Sequence, residues 1–179
     1  MQPNFDALLD NLADTVREFQ IKLGSAREAV GVYYPPESLN RLLGTALDEA
    51  GLATLLADFA AYAGERLGPV AVSAEAGRFC LRVSEEGAAR ASQTVTDSGF
   101  LRAFIEAVSA PGPTIESLLA VFRRYSDQVV CRELKNGEFD YLVYFADGKP
   151  DDYRYCIEFE GPMAVYHRFT PADYEALNF

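Results

Sequence analysis

Apolar residues recur at three- and four-residue steps from the start of the chain. Phe5, Leu8, Leu9, Leu12, Val16, Phe19 and Leu23 fall on one helical face. Asn4 is placed to cap this helix and Gly24 to end it. Asp6, Asp10 and Asp14 lie toward its positive end, with Arg17 and Lys22 toward its negative end, as the helix dipole favours. A short strand is expected over residues 29–34, closed by Pro35-Pro36. A second helix is expected from about Glu37-Ser38, carrying Leu39, Leu42 and Leu43. A third runs over about residues 52–67, with Leu55, Leu56, Phe59, Tyr62 and Ala63 on one side, until Gly68-Pro69 stops it. Residues 70–74 and 78–84 read as a hairpin around Glu75-Ala76-Gly77. Two more helical runs follow. One carries Phe100, Leu101, Phe104, Ile105 and Val108 after Ser98-Gly99. The other carries Ile115, Leu118, Leu119 and Phe122 after Thr114, beyond the break at Pro111-Gly112-Pro113.

The period then changes to two. Residues 129–135, 139–146, 153–159 and 163–169 alternate like strands. Asn136-Gly137 is the strongest hairpin signal in the chain, because both central positions of a type I′ turn need positive φ. Asp147-Gly148-Lys149-Pro150 and Glu160-Gly161-Pro162 separate the later strands. Thr170 with Pro171 and Asp173 starts a short last helix. Helices followed by strands make an α+β protein. The expectation is a single α+β domain over residues 1–179. Its helix-rich first two-thirds packs on a C-terminal antiparallel four-stranded meander, with an additional hairpin near residues 70–84.

Alternation assigns the two faces of the meander. One carries Val130, Leu134, Phe139, Tyr141, Val143, Phe145, Tyr155, Ile157, Phe159, Val165 and Phe169, and the amphipathic helices are its available cover. His167 joins that face if the turn at residues 160–162 keeps the sides aligned. A two-residue turn there would exchange them. The opposite face carries Cys131, Glu133, Asp140, Tyr144, Arg154, Cys156, Glu158, Tyr166 and Arg168.

Composition narrows the classes of partner. The chain has 179 residues, and a chain of this length buries roughly 70% of its unfolded surface without needing metal or disulfide. Its net charge is −11, from 16 Lys and Arg against 27 Asp and Glu. Nucleic acid binding needs a basic surface, so no nucleic acid partner is expected, and anionic membranes are disfavoured for the same reason. Solubility is the favoured reading of the acidity. Cys80, Cys131 and Cys156 match no zinc or redox spacing and sit in apolar strand-like segments, which suits a reducing, cytoplasmic location. The first residues resemble no signal peptide. The most apolar stretch, residues 52–63, is interrupted by Asp58 and too short to span a bilayer.

Candidate chemistry gathers on the meander. Arg154 and Arg168 suit bidentate binding of a carboxylate or phosphate, and Tyr144, Glu158, Tyr166 and His167 neighbour them. The favoured alternative is cross-strand charge pairing that only stabilises the sheet. A Cys–His nucleophile is disfavoured, because Cys131 and Cys156 are placed opposite His167. No nucleophile elbow, phosphate loop, dinucleotide fingerprint or zinc ligand set is present, and no cofactor is expected. Glu85-Glu86 and Asp151-Asp152 read as solvated loop acids, and Lys22, Lys135 and Lys149 support no Schiff-base role. Tyr33-Tyr34-Pro35-Pro36 reads as an edge strand packing across helices.

Several stretches together resemble an uncharacterised bacterial family, a domain of unknown function typical of anaerobic Gram-positive species. They are Ile21-Lys22-Leu23-Gly24, Tyr33-Tyr34-Pro35 with Ser38-Leu39 and Leu42-Leu43-Gly44, Phe122-Arg123-Arg124-Tyr125-Ser126, and Tyr166-His167-Arg168-Phe169. The likeness covers nearly the whole chain. It implies a small bacterial cytoplasmic protein and carries no activity or functional residue. Three functions compete. The favoured one is a non-enzymatic binding protein, a homodimer or a protein partner being held through the sheet face that bears Val129, Cys131, Leu142, Tyr144, Cys156 and Tyr166. The second is an anion-binding sensor or enzyme using Tyr144, Arg154, Glu158, Tyr166, His167 and Arg168. The third is an acidic immunity- or antitoxin-like protein that masks a basic partner.

Overall fold

Caps place the helix ends where the sequence puts them. Asn4 accepts the Ala7 N–H at 3.1 Å to start α1 (Phe5–Leu23), and Gly24 ends it. In this computed structural model residues 2–24, 28–94, 99–134 and 137–177 are described. The chain divides into two compact units, residues 1–96 and 97–179.

The first unit continues with β1 (Val30–Tyr34), α2 (Pro36–Leu43), α3 (Glu49–Arg66), β2 (Val70–Glu75), β3 (Arg78–Val83) and α4 (Glu85–Thr94). Ala76 and Gly77 both take positive φ, 50° and 75°, and close the β2–β3 hairpin. The expected lone strand joins this hairpin, giving an antiparallel sheet of order β1-β3-β2. Its inner face, with Val32, Tyr34, Phe79, Leu81 and Val83, packs with Leu8, Leu12 and Val16 of α1, Leu39 and Leu43 of α2, and Leu56 and Phe59 of α3. Tyr34 donates its hydroxyl to Asn11 at 2.9 Å, while the exposed Tyr33 donates to Glu75 at 3.1 Å. Glu85 and Glu86 are not loop acids. They form the first turn of α4, and the Ser84 hydroxyl accepts the Gly87 N–H at 3.2 Å. The helix escaped the sequence pattern because its buried positions are small, Ala88 and Ala91.

The second unit holds α5 (Phe100–Val108), α6 (Ile115–Arg123), β4 (Val129–Glu133), β5 (Tyr141–Phe145), β6 (Arg154–Glu160), β7 (Met163–Phe169) and α7 (Pro171–Ala176). The fold class is therefore α+β, with the four-stranded antiparallel meander β4-β5-β6-β7 at the C-terminus. Thr114 and Ser117 form a capping box at α6, and Thr170 caps α7. Helices α5 and α6 cover the inner face of this sheet: Phe104 lies 4.9 Å from Tyr155, and Phe122 4.9 Å from Phe145, ring to ring. Phe100, Phe104, Phe122, Phe145 and Tyr155 are all essentially buried. Ring pairs of this kind add about 0.5–1.5 kcal/mol each beyond area burial. Ser98 and the hairpin position Asn136 lie outside the described residues. Strands β4 and β5 pair antiparallel as expected, but one residue out of the register that a two-residue turn at 136–137 would set, with Glu133 opposite Tyr141, and the Leu134 N–H donates to the Asp140 carbonyl at 2.7 Å across their connection.

The register corrects the face assignment. Residues directly opposite in an antiparallel pair share a face. Tyr141, Val143, Phe145, Tyr155, Ile157 and Phe159 face the helices, as expected. Tyr166 stands opposite Ile157 and Arg168 opposite Tyr155, so they too face inward. Val165, His167 and Phe169 face outward, and so do Val130 and Phe139. The physical reason for β7 is the turn. Strand β6 ends at Glu160 and β7 begins at Met163, so two residues connect them and every β7 side chain changes sides relative to the expectation.

Candidate functional site

Four of the six expected site residues lie on the outer face of the C-terminal sheet: Tyr144, Arg154, Glu158 and His167. The other two, Tyr166 and Arg168, lie on the inner face. The two arginines therefore do not converge into a clamp. On the inner side Tyr166 packs edge-on against Phe104 at 4.9 Å, and the Arg168 guanidinium lies 4.1 Å over the Tyr153 ring. Arg168 also engages the Tyr155 phenol, which donates to Asp151 at 2.7 Å. Asp151 accepts the Tyr153 N–H as well, at 3.2 Å. Asp151 is thus a structural anchor at the start of β6 rather than a solvated loop acid.

The outer face is arranged in rows across the strands. Arg154 and Phe169 are opposite one another, then Cys156 and His167, then Glu158 and Val165, then Glu160 and Met163. The Arg154 guanidinium stacks 4.1 Å over the Tyr144 ring and donates to the Asp152 carbonyl at 2.8 Å. A small apolar cluster of Leu142, Cys156 and Phe139 occupies the middle, and Tyr174 of α7 packs on it. Burial raises the Tyr174 phenol, Cys156 adds to that rise, and Arg132 and Arg154 oppose it. Arg132 and Tyr174 are outer-face residues that sequence reasoning missed. A two-residue turn at Asn136-Gly137 would have set Arg132 opposite Tyr141 on the inner face, whereas the observed register sets it opposite Leu142. No sequence signal places Tyr174, because a helix after the last strand can fold to either side.

His167 sits in an aromatic setting, 5.4 Å from Phe139 and 6.2 Å from Phe169, nearly parallel to the latter at 14°. It shares its face with Cys156, its cross-strand partner, which corrects the expectation that the two point apart. Thiol chemistry is disfavoured for a different reason. Burial, with a smaller contribution from Glu138, pushes the Cys156 thiol up to about 12, so it stays protonated and non-nucleophilic at neutral pH. Cys131 is exposed on β4, and its thiol is also raised, chiefly by burial of part of its surface.

Toward β7 the face opens to solvent. Met163 is 58% exposed and Val165 38% exposed. Charge lies at the margins of the face, with Glu158 and Glu160 toward one end of β6, Arg154 at its other end, and Arg132 on β4 in the row of Leu142, Cys156 and His167. The arrangement suits binding: apolar and aromatic side chains in the middle, charges at the margin, on the last strand of a sheet. Among the described residues no three His, Cys, Asp or Glu side chains cluster as metal ligands, and no helix is long and apolar enough to cross a membrane.

A known family matches nearly the whole chain. The model described as "Domain of unknown function, E. rectale Gene description (DUF3877)" matches residues 5–178. No curated protein and no solved structure matches the chain.

Proposed function

The chain belongs to the DUF3877 family, whose description assigns no activity, and we propose that it is a non-enzymatic cytoplasmic binding protein. Its binding surface is the outer face of the C-terminal sheet on the side of β7, and its partner is a protein. The observation that carries this reading is the exposure of Met163 and Val165 side by side with His167 on β7. An exposed apolar run on an edge strand marks a site for another chain. The competing small-anion reading needs Arg154 and Arg168 in one clamp, and they belong to opposite faces of the sheet. Masking of a basic partner remains distinct in its salt response, since a cationic protein would leave this acidic chain as salt rises.

The test is sedimentation of the full chain together with affinity capture on immobilised chain, each repeated with Val165→Lys. Association that Val165→Lys abolishes, with unchanged far-UV circular dichroism, is the expected result. A monomeric profile with nothing captured would refute the reading.

A further inference from the structure

The binding reading names a protein as the partner, and the charges on the outer face narrow its chemistry. Where β7 runs into α7, Val130, Tyr144, Arg154 and Phe169 form one row across the strands. Arg132, Leu142, Cys156 and His167 form the next. These two rows hold two arginines and no carboxylate. Glu158 and Glu160 stand toward the opposite end of β6, with Glu160 about 20 Å along the strand from Arg154. The face therefore has a direction, basic at one end and acidic at the other.

Both arginines are open to an acid. Among the described residues neither forms an ion pair. Arg132 is exposed. Arg154 is half-buried, and its one hydrogen bond runs from Nη1 to the Asp152 carbonyl at 2.8 Å. A guanidinium carries five N–H donors in a rigid fork, so most of the Arg154 set is uncommitted. The Tyr144 ring, 4.1 Å from the guanidinium carbon, restrains the group, which leaves it less side-chain freedom to lose on binding. Arg132 stands across β5 from Arg154 and one row along, about 12 Å away between Cα atoms. Burial raises the Tyr174 phenol and both guanidinium groups oppose that rise, so both reach its neighbourhood.

We propose that the partner meets this face with a segment that sets side-chain carboxylates on Arg154 and Arg132 and apolar side chains on Val165 and Met163. This rests on the reading of the outer face as a protein-binding surface. Charge complementarity fixes the direction of the segment, because an acid displaced to the other end would face Glu158 and Glu160. Two carboxylates, rather than one small anion, suit guanidinium groups carried on either side of β5. The chain as a whole carries −11 and repels acids at a distance. Screening limits exposed charges to about 8 Å at physiological salt, so the arginines decide the contact.

The test is an amide NMR titration of the full chain with two short end-blocked peptides. One has leucines in one half and glutamates in the other, and its counterpart has glutamine in place of glutamate. The glutamate peptide should bind roughly tenfold more tightly and shift amides of the outer face on β4 to β7. Arg132→Gln and Arg154→Gln should each weaken it by about threefold, and the two together should erase its preference. Arg132 is exposed, so its variant leaves the fold intact. Arg82→Gln, an exposed change on β3 in the first unit, alters net charge by the same amount and should leave binding unchanged. Equal binding of the two peptides, no binding of either, or equal effects of Arg132→Gln and Arg82→Gln would overturn the proposal. If it fails this way while the chain still captures a protein that Val165→Lys releases, the binding-face reading stands and only the acidic partner is wrong. If nothing is captured either, both fail.

Discussion

Replacing Tyr155 by Phe removes one oxygen from the centre of the C-terminal unit and leaves the ring. That ring is fully buried among Phe100, Phe104, Phe122 and Tyr166, so its packing is retained. The loss is the 2.7 Å bond to the Asp151 carboxylate and the engagement by Arg168. A hydrogen bond to a charged group contributes about 1.5–3 kcal/mol. Asp151 is half-buried and keeps the Tyr153 N–H, and water can replace part of what it loses. The lower end of the range, about 1.5 kcal/mol, is therefore expected. Hydrogen exchange reads this directly: amides of β5 to β7 should exchange roughly 12-fold faster through unfolding, with β1 to β3 unchanged. The alkaline limb provides a second arm. Burial, then the Asp151 charge, raises the Tyr155 phenol well above 10. Above about pH 10 the unfolded phenol ionises while the folded one stays neutral, so stability falls as pH rises. Tyr155→Phe should make that fall shallower. An exchange change under about twofold would show that water fully replaces the bond.

Three further outcomes follow from the same geometry. The Cys156 thiol, raised from 9.0 to about 12, confers stability that is present below pH 9 and lost between pH 9 and about 12. Cys156→Ala should flatten urea midpoints across that window, and an equally steep fall would refute the assignment. Gly161→Ala meets no atom within 4 Å, so its effect is the left-handed backbone alone, about 1–2 kcal/mol of destabilisation in a denaturant titration. Gly87→Ala sets two effects against each other. Helix propensity favours alanine by up to about 1 kcal/mol. The added Cβ would sit 2.6 Å from Val83 Cγ1 and 3.3 Å from the Leu67 carbonyl, and such overpacking destabilises by about 1–3 kcal/mol. The net sign should be destabilising, and Val83→Ala with Gly87→Ala should cost less than the sum of the two single changes.

Much of the second unit was legible from residue order because its signals are local. Thr114 with Ser117 and Thr170 with Asp173 act within three residues, and the alternation of β5 and β6 placed their inner residues correctly. The candidate site was legible only in part. Tyr144, Arg154 and Glu158 were placed on the outer face, but their grouping with Tyr166 and Arg168 failed at one turn. Alternation reports only relative sides within a strand, and the sides of two strands are linked by the number of residues between them. The informative signal was Gly161 followed by Pro162: glycine can take the positive φ that the first position of a type II′ turn needs, and proline excludes type I′.

By itself, then, the amino-acid order determined the helices other than α4, the strands, several turns and the acidic balance of this protein, because caps, periodicity and charge act over a few residues or by simple sum. Only the tertiary structure decided that β1 joins β3, that α5 and α6 cover the meander, and that Tyr174 and Phe139 close part of its outer face. Those choices depend on which apolar surfaces bury one another across long stretches of chain. They also leave Met163, Val165 and His167 together on the outer face of β7, whereas residue order had placed Val165, with His167 beside it, on the covered side.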